Sequence, residues 1–128
     1  MAEFSNFLEN ALINATLRAT TYTSPSAVYV SLYTTNPNED DSGTEVSGGS
    51  YARTTATFDA PSNGVTQNSA NITFPTATGS WGTVTHFGIH DASTGGNLLY
   101  YSQLDTAKTI DNQDIFRIET GNLSVTLA

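Results

Sequence analysis

The stretch Trp81-Gly82-Thr83-Val84-Thr85-His86-Phe87-Gly88-Ile89-His90-Asp91-Ala92, with Gly95-Gly96-Asn97-Leu98-Leu99-Tyr100-Tyr101 after it, decides the fold class. β-Branched and aromatic residues alternate with small or polar ones up to a glycine pair, and the pattern then resumes. That is two strands joined by a turn. Working outward, the same grammar repeats from Ala27 to the C-terminus. Val28, Val30 and Leu32 alternate with Tyr29, Ser31 and Tyr33, as in a half-buried strand. Further strands are expected at 51–58, 69–74, 83–89, 97–103, 115–119 and 123–127, with a short one at 108–110. Turn signals separate them: Pro61-Ser62-Asn63-Gly64, Pro75, Gly79, Thr94-Gly95-Gly96, Asp111-Asn112 and Gly121-Asn122. Short strands at this spacing predict a mainly β chain, an antiparallel β-sandwich or a jelly-roll-like barrel. Phe58, Phe74, Phe87 and Phe116 are expected in its core.

One segment breaks the pattern. Phe4, Phe7, Leu8, Ala11, Leu12 and Ala15 recur at three- and four-residue steps, which predicts an amphipathic N-terminal helix at about 4–19. Ser5 is placed to cap it, and Thr20-Thr21 and Pro25 end it. Such a stripe lies on a sheet or docks on a neighbouring subunit. Between Thr35 and Ser50 apolar periodicity is lost, and Glu39-Asp40-Asp41 adds an acidic cluster. This loop, 35–50, is read as a mobile or contact-making appendage, removable without unfolding the domain. The 128 residues form a single domain, 1–128, with a β portion at about 27–127.

Composition narrows the function by exclusion. The formal net charge is −8 and only 12% of residues are charged, so Ser, Thr and Asn supply the polarity. Arg18, Arg53, Lys108 and Arg117 are the only basic residues apart from histidine, too few and too scattered for phosphate recognition; no direct nucleic-acid partner is expected. There is no cysteine, which excludes thiolate chemistry. No apolar run reaches the roughly 18 to 20 residues of a membrane span, so no membrane partner is expected. The N-terminus lacks a basic, apolar leader, and synthesis in a cytoplasm is expected.

No catalytic set stands out. His86 and His90 share one strand face, but a metal needs a third ligand, and His-x-x-x-His is a helical spacing. There is no Gly-x-Ser-x-Gly elbow. Asp91, Asp105, Asp111, Asp114 and Glu119 could pair for acid–base work, yet acidic residues at β turns are ordinarily turn formers. The reading is no catalytic residue, no metal, no cofactor, and not an enzyme. Trp81, Tyr100 and Tyr101 are candidate interface anchors, since Trp and Tyr dominate binding hot spots. Phe4, Phe7, Leu8 and Leu12 of the helix stripe join them.

Several pieces, taken in order, carry a resemblance: Leu8-Glu9-Asn10-Ala11-Leu12; Val28-Tyr29-Val30-Ser31-Leu32-Tyr33-Thr34; Glu45-Val46-Ser47-Gly48-Gly49-Ser50-Tyr51-Ala52-Arg53; Ile72-Thr73-Phe74-Pro75; Trp81 to Tyr100; and Leu123-Ser124-Val125-Thr126-Leu127. The chain resembles a family of small bacteriophage virion proteins, often labelled phage tail fibre proteins, whose similar members include capsid decoration (cement) proteins. His90 departs from the aromatic residue the resemblance implies there. The resemblance implies a virion structural protein, made in the host cytoplasm. Its first expectation is a decoration trimer on the capsid surface, with the major capsid protein and its own copies as partners. Its second is a tail or tail-fibre component that takes part in host attachment.

Overall fold

In the computed structural model, which describes residues 2–127, the stretch around the glycine pair forms the centre of a five-stranded antiparallel sheet. In chain order the elements are β1 (Glu3–Phe4), α1 (Asn6–Leu17), β2 (Val28–Tyr33), β3 (Thr54–Ala56), β4 (Val65–Gln67), β5 (Ile72–Thr73), β6 (Gly82–His90), β7 (Leu98–Ile110), β8 (Arg117–Ile118) and β9 (Ser124–Thr126). The main sheet has the order β1-β7-β6-β2-β3. Two two-stranded ribbons, β4-β9 and β5-β8, complete the β structure, and all pairings are antiparallel. The sheets do not close on themselves, so the architecture is sandwich-like and the barrel alternative drops out.

Alternation in β2 and β6 sets the layers. Val30 and Leu32 pair with Ile89 and Phe87, and all four are buried. They share one core with Ile72, Phe74, Phe116, Leu123 and Val125 of the ribbons and their flanks. Phe74 and Phe116 meet edge to face, with centroids 5.6 Å apart. Phe58 is half-buried against the same core. Ser31, Tyr33, Gly88 and His90 alternate to the other side of the sheet, where helix α1 and the 35–50 loop lie.

Helix α1 begins one residue after Ser5, as expected. The Ser5 hydroxyl accepts from the Leu8 amide at 3.1 Å and donates to the Leu98 carbonyl at 2.5 Å. A single buried serine therefore caps the helix and pins it to β7. The helix is two residues shorter than expected at each end. Phe4 belongs to edge strand β1, paired with Tyr100, and the helix stops at Leu17 before the left-handed Ala19 (φ 54°). Only Leu8 of the stripe is fully buried; Ala11, Leu12 and Ala15 are half-covered, and Phe7, Ile13 and Leu17 are exposed.

Three strand boundaries also differ from the sequence pattern. β7 is one 13-residue strand, not two, because pairing with β6 carries it past the exposed residues 105–109. Backbone hydrogen bonds need no burial, so the apolar alternation disappears where the strand continues. β4 was invisible because only one of its three residues is even half-covered. The expected strand at 51–58 is reduced to β3 and an isolated bridge between Phe58 and Asn68.

The 35–50 loop is no appendage. Pro37 and Val46 are buried, Glu45 bridges to Tyr33, and the Val46 amide donates to the Leu32 carbonyl at 2.9 Å. Thr34 and Thr44 close its base at 3.0 Å. The loop is a lid over the outer face of β2 and β6, and its removal would expose what it covers.

Candidate functional site

Under that lid lies a buried polar cluster. Ser31 and His90 are fully buried, and the Ser31 hydroxyl lies 2.9 Å from His90 Nδ1. On the other side of the ring, Nε2 lies 3.3 Å from the Tyr33 hydroxyl and 3.4 Å from Asp41 Oδ2. Tyr33 donates to Asp41 Oδ1 at 2.5 Å, and its ring lies parallel to the imidazole, 5° apart in plane. Gly88 makes the space. A Cβ there would stand 2.8 Å from the Ser31 hydroxyl and 2.7 Å from Leu98 Cδ1.

These partners define one protonation pattern. Tyr33 and the imidazole Nε2–H both face the Asp41 carboxylate, so Nδ1 accepts from Ser31. Burial pushes the His90 pKa below its ordinary value, and the nearby Arg53 pushes it the same way; Asp41 opposes both and does not win. Burial and the Asp41 hydrogen bond raise the Tyr33 pKa. His90 is thus a neutral, buried ring, stacked as the expected aromatic would be, with two hydrogen bonds added.

Beside it, Arg53 ties two loops to the sheet. Its Nε and Nη2 donate to the two Glu45 oxygens, each at 2.9 Å, and Nη1 donates to the carbonyls of Ala92 (3.0 Å) and Gly95 (2.8 Å). The Tyr51 hydroxyl donates to Glu45 Oε2 at 2.6 Å and accepts from the Leu32 amide at 3.0 Å. Burial works against the Glu45 charge, but Arg53 and Tyr51 outweigh it and hold the carboxyl below its ordinary value. Burial likewise disfavours the Arg53 charge, and the Glu45 carboxylate more than compensates. A guanidinium with four well-placed acceptors is a fork that fixes geometry as much as it adds energy.

Chemically, a serine, an imidazole and an aspartate in line invite comparison with a nucleophilic triad. The comparison fails on access: Ser31 has no exposed surface, so no substrate carbonyl can reach its oxygen. Nor do the histidines form a metal site. Both His90 nitrogens face partners, and His86, half-buried, lies 2.8 Å from its neighbour Thr85 through Nδ1. Among the described residues, no three His, Asp or Glu side chains converge as metal ligands. Of the acidic candidates, two hold turns: Asp91 accepts from the Asn97 amide at 2.7 Å, and Asp114 from the Asp111 amide at 2.8 Å. Glu119 pairs with Arg117 at 3.2 Å, and Asp105 lies within β7.

The aromatic candidates separate by burial. Trp81 is 4% exposed, sits edge-on to Tyr51 and donates from Nε1 to the Gly49 carbonyl at 2.8 Å. Leu8 and Tyr101 are also buried within this chain. Burial and then Glu3 push the Tyr101 pKa up to about 12. Phe4 and Tyr100 are half-covered and meet edge to face at 5.3 Å, and Leu12 is half-covered. Phe7, at 41%, is the one candidate presented largely to solvent. Ile13 and Leu17, which stand on the helix face away from the sheet, escaped selection because they fall off the apolar stripe.

Sequence reasoning did not find the Asp41–Tyr33–His90–Ser31 cluster or the Glu45–Arg53–Tyr51 fork. The latter had a signal: the acid, the phenol and the arginine all fall in the Glu45 to Arg53 piece that carried the resemblance. None of the curated proteins matches this chain. A family model, described as Podophage GP4 fiber I protein gp80, matches residues 3–126, from β1 through β9. The chain belongs to that family, and with it to the fibre-type structural proteins of bacteriophage virions.

Proposed function

We propose that the chain is a structural subunit of a virion tail fibre that takes part in host attachment. The observation that carries this reading is the match to a fibre-protein family model along nearly the whole domain, residues 3–126. The architecture suits it. The buried fork and histidine cluster stabilise two loops rather than expose reactive groups, so the lasting product of this sequence is a surface. Copies of the chain associate in this reading, with the uncovered helix edge at Ile13 and Leu17 as the contact. Leu8 anchors that helix from inside.

Placement on the capsid as a decoration trimer that bridges major capsid subunits is the competing reading. It shares the fold and differs in location. Cryo-electron microscopy of intact virions separates the two. Density for this domain on fibres at the tail is the expected result; density repeated over threefold or quasi-threefold positions of the shell would replace the fibre reading with the decoration one.

A further inference from the structure

Helix α1 and the 20–23 segment that follows it line an open surface cavity of about 520 Å³ against the 91–97 turn. Its walls carry two aromatic rings, Phe7 and Tyr22, three amides, Asn10, Asn14 and Asn97, and one carboxylate, Asp91. Phe7, Asn10 and Asn14 lie at steps of three and four, so they form one stripe beside the buried face of the helix. The opposite wall is rigid. Asp91 accepts from both the backbone and the side-chain nitrogens of Asn97, at 2.7 and 3.1 Å, and the left-handed Gly96 (φ 69°) lets the turn close on it. A Cβ at Gly96 would stand 2.5 Å from Asp91 Oδ1. Among the described residues the Asn10 and Asn14 amides and the Tyr22 hydroxyl make no hydrogen bond, so they remain available to a ligand.

The lining selects a ligand class. The volume falls within the ~300–1,000 Å³ usual for small-molecule sites. Amides and hydroxyls both donate and accept, which matches a molecule dense in hydroxyl groups. The rings offer flat apolar contact to a face of C–H bonds. No cation lines the cavity, and a neighbouring cavity, reached past Phe7, is bordered by Glu39, Asp40 and Asp41; anions are repelled from both. Burial and then the Asp91 carboxylate raise the Tyr22 pKa, which keeps its hydroxyl a donor.

We propose that this cavity is a binding site for a neutral saccharide, with Phe7 and Tyr22 as stacking platforms and Asn10, Asn14 and Asp91 as hydroxyl partners. The proposal deepens the host-attachment reading and rests on it for its biological setting, but its test does not. The ¹⁵N-labelled chain is titrated with the methyl glycosides of glucose, galactose, mannose and N-acetylglucosamine, and with glucuronate as an anionic control. Saturable amide shifts confined to residues 7–14, 20–23 and 91–97, with at least one neutral glycoside and not with glucuronate, are expected. Phe7→Ala, at an exposed position, weakens that binding about tenfold, and Asn14→Ala weakens it several-fold. No saturable shift with any neutral glycoside, shifts elsewhere on the fold, or unchanged affinity in both variants would overturn the proposal. Fibre density on virions with a failed titration removes the ligand and leaves the placement. Shell density with a saturable titration removes the placement and leaves the ligand.

Discussion

His90 shows how one residue can satisfy a shape requirement and a polar one together. Its ring occupies an aromatic's place against Tyr33, while its nitrogens serve Ser31 and the Tyr33–Asp41 pair. Because its folded pKa lies below the unfolded 6.5, the neutral form is the one the fold favours. Its contribution is therefore complete above pH 6.5 and is lost as the pH falls from there toward the folded value. Glu45, whose pKa is also lowered, adds a second loss as pH falls below 4.5. His90→Phe should keep the stack but strand the buried Ser31 hydroxyl, at about 1–2 kcal/mol at pH 7.5. In urea unfolding at pH 7.5 and pH 5.5 the gap between wild type and variant should narrow with acid. A constant gap would show that His90 does not titrate in this window.

At the scale of elements, the 35–50 loop reverses what the sequence suggested, whereas helix α1 lies against the sheet as expected and is covered only in part. The polar loop is the better anchored of the two, through Pro37, Asp41, Glu45 and Val46. The apolar helix is only half covered. Replacing residues 36–49 with a short glycine linker should destabilise the domain by more than about 3 kcal/mol. The loss of one buried valine and the stranding of buried Arg53 exceed the ~1 kcal/mol gained from a shorter loop. Thermal unfolding followed by circular dichroism measures this, and an unchanged midpoint would return the loop to the status of an appendage. Helix position is legible in sequence because Ser5 and the stripe are local signals. Its partial burial is not, because coverage depends on how far β7 and the loop extend.

For the whole molecule, the proposed reading makes the half-covered helix the place where copies of the chain meet. Ile13 and Leu17 are 53% and 79% exposed, on a chain whose net charge of −8 opposes self-contact through most of its surface. An Ile13→Glu, Leu17→Glu pair should leave the far-ultraviolet spectrum unchanged and shift sedimentation to the monomer, provided copies meet at this edge. Sedimentation of the pair identical to wild type would place the contact elsewhere.

Local order could be read directly from the residues. Alternation in β2 and β6, the glycine turn after Ala92, the Ser5 cap and the Asx turns at Asp91 and Asp114 are decided by neighbours a few positions apart. Class followed from them: antiparallel, mainly β, with one helix at the front. The resemblance carried by ordered pieces of sequence agreed with the family match, and all of those pieces but the helical one contribute residues to the core. Tertiary structure alone decided which polar residues meet. Ser31 finds His90 across 59 positions, Asp41 finds it across 49, and Arg53 finds Ala92 and Gly95 across 39 and 42. Such partners depend on strand order and register, which no linear pattern encodes. The same holds for the cavity beside Phe7, whose two walls become neighbours only when the helix is pinned to β7.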